Sequence, residues 1–143
     1  MNFKLSRAFT LTTLTVVLGL TAIPASAQQA AFHLPFEAHW AGAVLEPGDY
    51  KLSIPAAQSP SHIVYLSSAK KTTMVLPETA GTPALSINHG SIKLVNVDGE
   101  YFVREYRSPS RGQVFVFSVP KAALEVLTSS NRSTSIPVED AHR

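Results

Sequence analysis

Between Phe32 and Trp40 every second residue is apolar: Phe32, Leu34, Phe36, Ala38 and Trp40 alternate with His33, Pro35, Glu37 and His39. A period of two is the signature of a strand with one face buried and one face wet. A chain that opens its folded part in this way is committed to a sheet. Pro35 has no N–H to give to a ladder, so the strand either lies at an edge or carries a bulge at that point. Ala41-Gly42-Ala43 loosens the chain before Val44 and Leu45. Glu46-Pro47-Gly48-Asp49 then reads as a type II turn, with Pro47 fixing φ at its second position and Gly48 supplying positive φ at its third. Tyr50, Leu52 and Ile54 alternate with Lys51 and Ser53 as a second half-buried strand, which Pro55 ends.

The same alternation of short strands and turn residues continues. Ala56–Ser61 is a polar loop, His62–Leu66 and Thr72–Leu76 are strands joined by a hairpin loop, and Pro77–Pro83 is another loop. Ala84–Asn88 reads as a short strand and His89-Gly90 as a tight turn with glycine in the left-handed position. Ser91–Val97 and Glu100–Arg107 flank Asp98-Gly99, the strongest hairpin signal in the chain. Gln113–Ser118 follows; its apolar run Val114–Phe117 fits a strand covered on both faces. Ser118 caps a short helix over Val119–Leu127, where Pro120 sits harmlessly in the first turn. Val119, Ala122, Ala123, Val126 and Leu127 give that helix one apolar stripe to lay against the sheet. About eight short strands and one C-terminal helix predict an all-β domain over residues 28–127, an antiparallel sandwich or a small barrel. Thr128–Arg143 is rich in Ser, Thr and charge, with only Ile136 and Val138 apolar, and reads as a disordered tail.

The first 27 residues have a separate logic. Lys4 and Arg7 precede an uncharged segment, Ala8–Ile23, which Pro24 and Ala25-Ser26-Ala27 close. Positive end, apolar body and small residues before a cut make a cleavable signal peptide, with signal peptidase cutting between Ala27 and Gln28. The apolar run is short and Thr-rich for a membrane span, which needs about 20 apolar residues. Removing Lys4 and Arg7 leaves ten basic residues against ten acidic ones, so the mature chain is formally neutral. Neutrality and export argue against a nucleic-acid partner. The chain has no cysteine, hence no disulfide and no lipid-bearing cysteine, which suits a periplasmic or extracellular bacterial protein.

Four stretches together resemble a group of small exported proteins of uncharacterised function, found mainly in Acidobacteria. That group carries a Pro-Phe-acidic strand, a Leu-Pro-Ala-Gly-x-Tyr turn, a Tyr-Phe-Leu strand and a terminal Leu-Pro-Lys-Ser-x-x-Glu segment. The counterparts here are Leu34-Pro35-Phe36-Glu37, Leu45-Glu46-Pro47-Gly48-Asp49-Tyr50, Tyr101-Phe102-Val103 and Val119-Pro120-Lys121-Ala122-Ala123-Leu124-Glu125. In the second of these the proline has moved next to the glycine. The resemblance implies a compact β-rich exported domain and brings no catalytic residues with it.

Candidate chemistry is sparse. Glu37 and His39 are two apart on the outward face of the first strand, near enough to share a metal ion, but His33 lies too far along the strand to join them. Glu100 and Glu105 are five apart on one strand and point to opposite faces, which removes a simple glycosidase pair. Arg104, Arg107, Arg111 and Lys121 gather positive charge near the last hairpin, where arginines paired with Glu100, Glu105 or Glu125 account for them. There is no nucleophile elbow, no His-Glu-x-x-His and no phosphate-binding glycine loop. Trp40, Tyr50 and Tyr101 are the aromatics that would face a ligand if the domain enclosed one. The expectation is therefore a non-enzymatic structural or binding domain of the cell envelope or exterior, without a cofactor. A small-ligand or glycan-binding barrel is the alternative, and a metal-dependent hydrolase using Glu37 and His39 the third reading.

Overall fold

The computed structural model describes residues 27–55, 62–129 and 133–140. The expected signal peptide, apart from Ala27, and the loop Ala56–Ser61 lie outside them. The strands are β1 (Gln28–Leu34), β2 (Ala38–Trp40), β3 (Ala43–Leu45), β4 (Gly48–Ile54), β5 (Val64–Ser67), β6 (Thr72–Val75), β7 (Thr79–Gly81), β8 (Gly90–Val97), β9 (Glu100–Ser108), β10 (Gln113–Val116) and β11 (Ser133–Asp140), with one helix, α1 (Lys121–Ser129), before β11. They form a single sheet in the order β3-β2-β9-β8-β11-β1-β4-β5-β6, curled into a nearly closed barrel. This decides between the barrel and the sandwich.

The long β9 holds two partners along one edge. Its start pairs in parallel with β2, and its second half pairs antiparallel with β10, which carries β7 beyond it. An irregularity between Lys93 and Leu94 lets the two halves differ: Lys93 faces Glu105 while Leu94 faces Val103, leaving Arg104 as an extra residue on β9. The bulge changes parity, so Val103 and Tyr106, three apart, both point into the core. Arg104 uses its position to tie β10 down: its Nη1 donates to the carbonyl of Phe117 at 2.6 Å and lies 3.2 Å from Glu78.

The alternation of the opening stretch survives in the fold. Phe32, Leu34, Ala38 and Trp40 are buried and Phe36 is half-buried against the core. Pro35 ends β1 and the chain bends before β2 starts. The break, and not an edge position, accommodates the proline, because β1 is flanked by β4 and β11. The interior is filled by side chains from both halves of the sheet. Phe32 stacks on Tyr50 with ring centroids 5.5 Å apart and leans on Trp40 at 5.9 Å; Trp40 meets Phe117 edge-on at 5.2 Å. Tyr106 stacks on Phe115 at 5.8 Å. Contacts of this kind add to the area term that burial of large rings already supplies.

Several expectations are corrected. Within the stretch read as a disordered tail, Ser133–Asp140 is a strand inserted between β8 and β1, burying Ile136 and Val138. Two apolar residues two apart suffice because the neighbouring strands supply every other contact. Thr79–Gly81, read as loop, pairs with β10, while Ala84–Asn88, read as strand, has no regular structure and leaves Leu85 82% exposed. His89-Gly90 is no left-handed turn. Gly90 begins β8, and a Cβ there would meet the Val138 carbonyl oxygen at 2.8 Å, so glycine is required by the close approach of β11. Gly48 has φ of +151° and is already in β4, which is not type II geometry; Tyr50 organises the corner by donating from its hydroxyl to the Glu46 carbonyl at 2.8 Å. Ala41-Gly42 is itself a tight hairpin turn, with φ of +46° and +86°. Asp98 and Gly99 form the expected one, with φ of +52° and +91°. Helix α1 starts two residues later than expected and packs on β8, where Ala123 is buried and Val95 is covered from outside. Among the described residues no helix is long and apolar enough to cross a membrane.

Candidate binding groove on the outer face of the barrel

Outward positions of β1 are Gln29, Ala31 and His33. Ala31 lies opposite Lys51 of β4 on one side and Glu139 of β11 on the other. A methyl group between two long charged side chains leaves a depression along the middle of the wall. One flank of it is the β5–β6 hairpin, whose turn is closed by the Ser68 N–H on the Lys71 carbonyl at 2.9 Å. Lys70 in that turn reaches Glu46 at 2.7 Å, so the hairpin is fastened to the corner that precedes β4. Lys70 holds the Glu46 carboxyl below its usual range, and Glu46 in turn holds the ammonium up. The opposite flank is Pro137 and Glu139. Together they bound a groove of about 820 Å³ with Ala31 on its floor, the flanks of Phe32 and Tyr50 beneath, Ala69 on the hairpin side, and His33, Asp49, Lys51, Ser67, Ser68 and Glu139 supplying polar groups.

His33 and Asp49 face each other across the β1–β4 ladder, with Nδ1 and Oδ1 2.7 Å apart. Beside serines, this pair has the residue types of an acyl-transfer site. Its surroundings do not suit that chemistry. The two side chains are 67% and 91% exposed. Ser67 Oγ pairs with Thr72 Oγ1 at 3.0 Å, and Ser68 Oγ donates to the Lys71 carbonyl at 3.2 Å, so both hydroxyls are engaged inside the hairpin. A catalytic base of this kind works in a shielded site, held in reach of its nucleophile. The groove offers both signs of charge and hydroxyls over an apolar floor.

A second polar group closes one end of the barrel. Gln28 Nε2 donates to Ser108 Oγ at 2.6 Å and to Ser110 Oγ. Arg111 Nε donates to Gln28 Oε1 at 2.9 Å, while its Nη2 reaches the carbonyls of Ile54 and Pro55 at 3.3 and 2.8 Å. Ser110 donates to Asp140 at 3.2 Å. The hydroxyl of Tyr106 points to this end without a hydrogen-bond partner of ordinary geometry among the described residues. Burial pushes its pKa up to about 12; the charge of Asp140 adds to the rise, and Ser108 and Arg111 offset part of it.

The residues singled out from sequence are dispersed. Glu37 is exposed after the Pro35 break, and His39 stacks its ring on Phe102 at 4.9 Å, so they do not converge. Among the described residues no three His, Cys, Asp or Glu side chains gather closely enough to hold one ion. Trp40 and Tyr50 are core residues, 0% and 5% exposed; an edge of Tyr50 lines the groove, and the Trp40 indole N–H has no hydrogen-bond partner among the described residues. Tyr101 is half-buried, stacked on Phe36 with centroids 3.8 Å apart. Of the basic residues near the last hairpin, Arg107 lies 3.4 Å from Glu105, as expected, but Arg104 turns to Glu78 and Arg111 to the barrel end. Apart from Tyr50, the groove residues are not legible as a site in the sequence because they come together only through the β11-β1-β4-β5 order. The outward parity of His33 was the one signal pointing to that face. Neither family models, nor curated proteins, nor solved structures yield a match to this chain.

Proposed function

We propose that the protein is an exported, non-enzymatic binding domain that engages its ligand on the outer face of the barrel, in the groove over β11-β1-β4-β5. The observation that carries this reading is the contrast between a barrel interior occupied by Trp40, Phe32, Tyr50, Tyr106, Phe115 and Phe117 and an open groove of about 820 Å³ outside it. Binding sites are concave and largely apolar, with a few placed polar groups, and the groove has that composition. The polar rim carries both signs of charge, Lys51 beside Asp49 and Glu139, together with the His33 imidazole and the Ser67 and Ser68 hydroxyls. It therefore suits a neutral chain molecule that presents hydroxyls, such as a glycan strand of the cell envelope.

Titration of the ¹⁵N-labelled protein with neutral oligosaccharides tests this. Amide signals of Ala31, His33, Lys51, Ser67 and Glu139 should move together and saturate. Ala31→Trp, which fills the groove from an exposed position, should weaken binding at least about tenfold while leaving the fold intact. Binding that Ala31→Trp leaves unchanged, or turnover of the sugar, would overturn the proposal.

A further inference from the structure

We infer that Gln28, the residue left at the N-terminus by signal cleavage, is held by the folded barrel against cyclisation to pyroglutamate. The inference rests on the reading that the chain is exported and cut after Ala27. An N-terminal glutamine cyclises when its free α-amine attacks the side-chain amide carbon. The new N–C bond closes a five-membered lactam, the bond to the amide nitrogen breaks, and ammonia leaves with the proton the amine gives up. No other reactant is needed.

The reaction requires the carboxamide to fold back onto its own amine, and the structure directs it elsewhere. Both ends of the group are held by residues more than 75 positions away in the chain: the nitrogen donates to Ser108 and Ser110, and the oxygen accepts from Arg111. Ser108 is 0% exposed, so its hydroxyl loses a buried partner if the carboxamide turns away. The backbone is held too, because Gln28 lies opposite Ile54 in the β1–β4 ladder, and Arg111 grips the Ile54 and Pro55 carbonyls on the same side. Cyclisation therefore needs the carboxamide to break its bonds to Ser108, Ser110 and Arg111 at once, while the held backbone and Arg111 keep those partners in place, and its rate falls by the rarity of that opening.

The experiment starts from the full precursor in an exporting bacterial host, followed by recovery of the processed protein. Intact mass and the N-terminal residue are read at once, and again after incubation at neutral pH, folded and in urea. The expected result is an N-terminal Gln28 that keeps its ammonia when folded and loses it about ten- to a hundredfold faster in urea. Arg111→Ala should speed the loss in the folded protein. Ser110→Ala, an exposed change that leaves the barrel intact, should speed it by a smaller factor. Ammonia loss from folded Gln28 as fast as in urea would overturn the inference alone. An N-terminus other than Gln28 would overturn it together with the cleavage reading.

Discussion

At Tyr106 a hydroxyl sits in the core without a hydrogen-bond partner of ordinary geometry among the described residues, and its energetics can be read from its titration. The folded pKa, about 12, lies above the ordinary value of 10.0. Between those two values the unfolded chain loses the phenolic proton while the folded chain keeps it. Its contribution to stability is whole below pH 10 and is lost as pH rises towards 12, by about 2–3 kcal/mol in all. Tyr106→Phe removes both the orphan hydroxyl and this dependence. Urea unfolding at pH 7 should show the variant no less stable than the parent, and by pH 11 it should be clearly the more stable of the two. At Gly90 the constraint is steric. Gly90→Ala forces a Cβ against the Val138 carbonyl and should cost about 1–3 kcal/mol in the same measurement. Ala41 shows the reverse case, a non-glycine at φ +46° in a hairpin turn. Ala41→Gly relieves that strain and should raise stability by about 1 kcal/mol, seen as a higher urea midpoint with unchanged slope.

At the scale of elements, the strands that were legible are those with their own pattern. Phe32 to Trp40, Tyr50 to Ile54 and the Asp98-Gly99 hairpin announce themselves by alternation and by turn residues that need positive φ. The elements that were not legible owe their structure to neighbours. Ser133–Asp140 has weak strand character, yet it lies between β8 and β1 and supplies hydrogen bonds to both. Thr79–Gly81 is a strand because β10 offers it an edge. Gly90 looked like a turn because the approach of Val138 is a relation between residues 48 positions apart. The same holds for the groove: His33 and Asp49, or Ala31 and Glu139, meet only once register is set. Losing β11 should therefore be far more damaging than trimming a tail. Ile136→Ala should cost about 2–4 kcal/mol, and a chain ending at Ser129 should lose its cooperative thermal transition by circular dichroism.

On the whole-molecule scale, the barrel divides its residues between two tasks. Large rings fill the inside and hold the wall in shape. Small and charged residues on the outside of β1, β4 and β11 make the recessed surface. From Gln28 onward ten basic residues face ten acidic ones, so the local pattern of charges on this surface is not overridden by a long-range field. The polar cluster of Gln28, Ser108 and Arg111 closes the barrel end at the point where export processing is expected to start the mature chain. The most direct test of an outward-facing site on a filled barrel is a fragment screen by ¹⁵N and indole NMR on the protein from Gln28 onward. Bound fragments should shift the amides of Ala31, Lys51, Ser67 and Glu139 and leave the Trp40 indole signal in place. Fragments that converge on Trp40, Tyr106 and Phe115 would show that the interior takes the ligand, and would contradict an outward-facing site.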